Sequence, residues 1–247
     1  MGISVDTAAD ITKEASSIIL LEKSLTVLED GVIEGRKVFK NMMKYILITI
    51  SSNFGNVFSV IVASAFLPFL PMLSLQLLVQ NLVYDISQLA MPWDNVDESQ
   101  IMQPVKFDNK NLFRFTISIG PISSIFDIVT FGVMWYIIGA NTVAEQSLFQ
   151  TGWFLVGLIS QTLVVYMVRT EKIPFIQSRA SAPMVIMSLL AVLTGIMIVL
   201  VEPLREAFDF TSLPSNYWGW LIGIVFVYMV LVQLIKTKYI KKYKEWI

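Results

Sequence analysis

The chain has 247 residues, 55% hydrophobic and 15% charged, with a net charge of −1 and a mean hydropathy of +0.67, a balance that points to an integral membrane protein. Cysteine and histidine are both absent, which excludes disulfides, Cys/His zinc sites and Ser-His-Asp or Cys-His catalysis. Any bound metal must then be a hard ion of the Mg, Ca, Na or K class, held by oxygens.

Residues 1–44 read as a cytosolic segment without an early apolar run, so no signal peptide is expected. Asp6-Thr7-Ala8-Ala9-Asp10 before ITKEASSIILL predicts a helix start followed by a short buried apolar run at 18–21. A second helix begins near Ser24 or Thr26 and meets no breaker except Gly31 and Gly35. Continuous over residues 28–66, it would extend roughly 58 Å at 1.5 Å per residue. That is about twice the thickness of the hydrocarbon layer, so residues 28–44 are expected to project as a stalk suited to mechanical coupling. The alternative is a simple amphipathic lead-in.

Six spans are predicted, at residues 45–67, 72–90, 115–138, 151–168, 182–201 and 217–235. The first two flank a short turn between Pro68 and Pro71, which predicts antiparallel neighbours. Asn53 and Asn56 are three apart, and Asn81 and Asp85 four apart, so on helices each pair shares a face. An unpaired carboxylate in mid-membrane costs several kcal/mol, and no Lys or Arg lies in the apolar part of either segment. Asp85 is therefore the leading candidate for an ion or substrate path; each asparagine is either part of it or only a packing hydrogen bond. Gln76, Gln80, Asn81, Asp85, Ser87 and Gln88 interrupt the second span, and polar helices of this kind unwind at transport sites and free backbone carbonyls. In the third span Gly120-Pro121 predicts a kink, and Asp127 is either a transport residue or a buried helix–helix hydrogen-bonding group.

With a cytosolic N-terminus, every basic residue except Arg205 falls on the inner side, Lys106 and Lys244 included. Both termini are thus expected in the cytoplasm and the protein in the plasma membrane. The basic tail, residues 236–247, anchors that orientation and suits contact with anionic lipid. All basic clusters are juxtamembrane, so no nucleic-acid partner is expected.

The pattern SSNFGNVFSV…PFLP…QLLVQNLVYDISQLAMPWD resembles the fifth and sixth transmembrane helices of P-type cation-transporting ATPases, most of all their magnesium-transporting bacterial branch. GISVDTAADITKEASSIILLEKSLTVLEDGVIEGRKVFKNMMKYI resembles the end of that family's phosphorylation domain and its stalk. GPISSIFDIVTFGVMWY, SLFQTGWFLVGLISQTLVVYMVRTEKIPFIQSRA and the basic tail resemble helices seven to ten. The resemblance implies an all-α polytopic membrane protein with six transmembrane helices. It divides into a phosphorylation-domain remnant (1–27), a cytosolic stalk (28–44), a six-helix cation-transport domain (45–235) and a basic tail (236–247).

It also implies a ligand set. Calcium pumps of the family use an Asn and a Glu three apart in the fifth helix; Asn53 matches the first and Asn56 stands in place of the Glu. The sixth-helix pattern N-L-V-x-D is matched by Asn81 and Asp85, with Tyr84 where a Thr is common. Gln161 falls where calcium pumps carry a Glu in the eighth helix. Amides in place of two carboxylates argue against a two-calcium site and fit one partly hydrated divalent ion, for which Mg²⁺, reluctant to dehydrate, is the expectation.

The D-K-T-G-T, T-G-E-S and G-D-G-x-N-D motifs of the family do not occur. The chain alone is therefore not expected to hydrolyse ATP, which would act only through an N-terminal catalytic part supplied in cis or in trans. The implied function is the cation-binding membrane domain of a magnesium-type pump, as a C-terminal fragment, truncated product or split half. The alternatives are a stand-alone channel-like or secondary cation carrier, and an inactive or assembly-only membrane subunit.

Overall fold

The computed structural model describes residues 2–102, 108–243 and 246; Lys106 and Lys244, which contribute to the predicted orientation, lie outside the described residues. The chain starts with strand β1 (Ile3–Val5), helix α1 (Asp10–Glu14) and strand β2 (Ile18–Leu20), the strands pairing in parallel with Ile3 opposite Ile18. The apolar run expected to be buried at 18–21 is instead open: Ile18, Ile19 and Leu21 are exposed. Two strands present two faces and one short helix cannot cover them.

Helix α2 (Leu25–Phe66) is continuous over 42 residues, about 63 Å long. The Ser24 hydroxyl caps it by accepting from Thr26 N at 3.2 Å. Helix α3 (Ser74–Gln88) follows, then short α4 (Glu98–Ile101) and α5 (Asn109–Gly132), whose N-terminus is capped by the Asp108 carboxylate. α5 contains Pro121 and runs on as a wider π-helical turn, Val133–Ile138, that stops at left-handed Gly139. Then come α6 (Gln146–Val168), α7 (Ala182–Leu200), capped by Ser181 and opened by Pro183, short α8 (Glu202–Ala207) and α9 (Ser215–Tyr243).

Among the described residues, five helices are long and apolar enough to cross a membrane: α2, α5 with its extension, α6 with its preceding turn, α7 and α9. The second of the six expected spans is α3, whose 15 residues extend about 22 Å, short of the roughly 30 Å hydrocarbon layer. Helix α6 is central and almost wholly buried, surrounded by α3, α5, α7 and α9. The first two spans, expected as antiparallel neighbours, are not each other's main packing partners. α2 lies along α5, while α3 packs on α7 and α6.

Small residues decide both choices. A methyl group at Gly55 of α2 would sit 2.1 Å from the Ser123 hydroxyl and 2.9 Å from Gly120 O on α5; one at Gly120 would sit 2.9 Å from the Phe54 ring. A methyl at Gly157 of α6 would sit 2.7 Å from the Gln80 amide nitrogen of α3. Backbones this close are how membrane helices associate without a hydrophobic driving force between them.

Candidate cation site

Two of the five predicted ligands meet. Gln161 of α6 donates from Nε2 to Asn56 Oδ1 of α2 at 2.7 Å. Its own carbonyl oxygen, Oε1, is buried and has no protein partner among the described residues; the same holds for Ser51 Oγ on α2. Both residues line a small, partly open cavity of about 20 Å³ with Ser52, Ser123 and Tyr228, the size of about one water.

The other three do not join them. Asn53 is exposed on α2, and Asn81 and Asp85 are exposed on α3, while Tyr84 between them is buried. None has a hydrogen bond or ion pair among the described residues, and no group of three or more acidic side chains gathers there to hold a metal. What the arrangement offers chemically is amide oxygens on α2, α3 and α6 with one carboxylate on α3, all hard donors.

Asp127, left open between two roles by the sequence, is buried where α2, α5 and α6 meet. Trp153 Nε1 of α6 donates to its Oδ1 at 2.9 Å, and Ser59 Oγ of α2 lies 2.5 Å from its Oδ2. This geometry supports the hydrogen-bonding role.

Sequence reasoning missed a network at the basic end of the bundle, where Lys44, Arg169 and Lys236 served only as markers of orientation. All three are buried. Arg169, just past the end of α6, holds Asp94 with Nε–Oδ2 at 2.5 Å and donates to Asn95 O and Arg179 O. Lys44 Nζ lies 3.8 Å from the same carboxylate and donates to Asn95 O. Asn41 clasps the same loop through Pro92 O and Asp94 O, and Asp94 Oδ1 accepts from Ser181 N. Lys236 of α9 donates to Met167 O, Thr170 O and Lys172 O, the carbonyls at the end of α6. Nearby, burial would push the Asp97 carboxyl up. Hydrogen bonds from Thr170 and Ser178 and the charges of Lys172 and Arg169 outweigh that and leave it below the usual carboxylate range. The available signal was an Asp and an Arg, each directly following an apolar segment.

Long apolar helices joined by buried amides and a buried carboxyl define a multi-pass helical membrane protein. The sequence profile described as "Cation transporting ATPase, C-terminus" matches residues 69–237, and the chain belongs to that family. It is 58% identical over 243 residues to "Magnesium-transporting ATPase, P-type 1" of Escherichia coli (strain K12), covering 98% of this chain and 27% of that protein. The protein of the same name from Salmonella typhimurium (strain 14028s / SGSC 2262) matches with the same identity and coverage. "Calcium-transporting ATPase" of Bacillus subtilis (strain 168) is 24% identical over 227 residues, 91% of this chain and 25% of that protein. The chain is homologous to the C-terminal membrane part of magnesium-transporting P-type ATPases and spans about a quarter of their length.

Proposed function

We propose that the chain forms the cation-binding membrane part of an ATP-driven magnesium transporter. The observation that carries this reading is the 58% identity, along 98% of the chain, to proteins named magnesium-transporting ATPases. Asp85 supplies the negative charge, and Asn53, Asn56, Asn81 and Gln161 supply carbonyl oxygens to one Mg²⁺ that keeps part of its water shell. Asn53, Asn81 and Asp85, exposed on α2 and α3, then face the ion path. ATP hydrolysis belongs to a catalytic part outside these residues, acting in cis or in trans.

In this reading α3 is the second of six crossings, completed by irregular backbone on either side; its polar face and the 3-10 turn Met91–Trp93 after it support that. Residues 28–44 of α2 are the stalk, 1–27 the edge of a phosphorylation domain, and 236–247 a tail at anionic lipid. Both ends lie in the cytoplasm and the membrane is the plasma membrane.

The test is uptake of isotopic Mg²⁺ by vesicles from cells expressing the chain together with its catalytic part, in cis or in trans, with and without ATP. Asp85→Asn at unchanged protein level is expected to lower ATP-driven uptake by roughly tenfold or more, the equivalent of about 1.4 kcal/mol. Normal uptake by Asp85→Asn would refute the site. An ATP-independent flux abolished by the same substitution would establish the passive carrier instead.

A further inference from the structure

The junction of α2, α5 and α6 poses a question of hydrogen counting. Ser59 Oγ lies 3.0 Å from Gly55 O, four residues back on α2, and 2.5 Å from Asp127 Oδ2. A serine hydroxyl carries one hydrogen. If Asp127 were ionised, both neighbours would be acceptors and Ser59 could serve only one of them. Gly55 O also accepts from Ser124 Oγ at 2.9 Å, so an ionised Asp127 could take the Ser59 hydrogen. It would then be a full negative charge held by two neutral donors, Ser59 and Trp153.

The surroundings do not compensate such a charge. Asp127 makes no ion pair among the described residues, and the hydrogen bonds it makes among them are those to Ser59 and Trp153. The titratable side chain packed nearest is Tyr228 of α9, whose ring stands edge-on to Phe126 at 5.1 Å; Tyr84 of α3 lies beyond it. Both are neutral phenols. A carboxyl buried among apolar and neutral groups discards its charge rather than bear the desolvation cost.

We propose that Asp127 is a proton-binding site. Its Oδ2–H donates to Ser59 Oγ, Ser59 donates in turn to Gly55 O, and Trp153 Nε1–H donates to Oδ1. Every polar atom then has a partner and no charge is left uncompensated. The bound proton closes a latch across three helices. Ser59 is one turn beyond Asn56 on α2, about 4.5 Å along the axis, so the latch holds the register in which Asn56 meets Gln161. The inference does not depend on which ion is carried.

Infrared spectroscopy of the protein in lipid nanodiscs at neutral pH tests it directly. A carboxylic-acid C=O band is expected that is absent from Asp127→Asn, and Ser59→Ala is expected to shift that band upward by removing its acceptor. Asp127→Asn should also fold normally, because its Nδ2 donates and its Oδ1 accepts as the neutral acid does, whereas Asp127→Ala should lose thermal stability. The absence of an Asp127-dependent acid band, a band unmoved by Ser59→Ala, or failure of Asp127→Asn to fold would each overturn the proposal.

Discussion

At the scale of single residues, the α2–α5 contact rests on what two glycines lack. Because a methyl at Gly55 would meet the Gly120 backbone as well as a movable serine, Gly55→Ala is expected to lower stability by about 1–3 kcal/mol, the usual cost of overpacking. Gly31, in the same helix, has open space where a methyl would go. There Gly31→Ala is expected to stabilise by roughly 0.5–1 kcal/mol, through helix propensity alone. Thermal unfolding of the two variants side by side checks both signs. Asp97 gives a pH-dependent counterpart. Its carboxyl is held low in the folded protein, so its contribution to stability is complete above the unfolded value near 3.9 and is lost as pH falls below it. Acid titration of the unfolding midpoint is expected to fall more steeply below that pH in the unmodified protein than in Asp97→Asn.

Helices and loops are tied together at the basic end by charges withdrawn from water. Removing one partner of such a pair is costly because the other stays buried and uncompensated. Asp94→Ala, which strands Arg169 and Lys44, is expected to destabilise by about 3–5 kcal/mol. Arg169→Met combined with Asp94→Leu should recover much of that loss, a non-additivity that a double-mutant cycle of unfolding midpoints measures. Lys236 serves the end of α6 in another way, as a cap for three carbonyls. Lys236→Met keeps the apolar stem and leaves those acceptors without their donor, an expected cost of about 1–3 kcal/mol. Binding by Arg169 and Lys236 fixes where α6 ends, and through it the height at which Gln161 meets Asn56.

For the molecule as a whole, orientation is the property that charge distribution fixes and a bundle of helices does not display. The absence of native cysteine in this sequence allows single cysteines to report it. Lys238→Cys is expected to react with a membrane-impermeant thiol reagent only from the cytoplasmic side, and Ser212→Cys only from the opposite side. Reversed labelling would invert the predicted topology. Five helices were legible because eighteen or more consecutive mostly apolar residues leave few alternatives in a bilayer. α3 was harder to read because the same polar side chains that weaken its hydropathy bury themselves against neighbours. Gln76, for example, bonds to Leu73 N within its own first turn and to Phe208 O across the bundle.

The sequence by itself determined the class of the protein, the long helices and the oxygen chemistry open to a metal, because these depend on local composition, periodicity and the absence of Cys and His. Spacing also marked Asn56, and the family resemblance marked Gln161, though neither showed that they bond to each other. Tertiary structure alone decided that α2 packs on α5 rather than α3, that Asn53, Asn81 and Asp85 stand exposed, and that Lys44, Arg169 and Lys236 are buried. Those outcomes turn on which backbones can approach closely and which charges find partners far along the chain. Such pairings, as between Asp94 and Arg169 or Ser59 and Asp127, leave no periodic trace in the sequence.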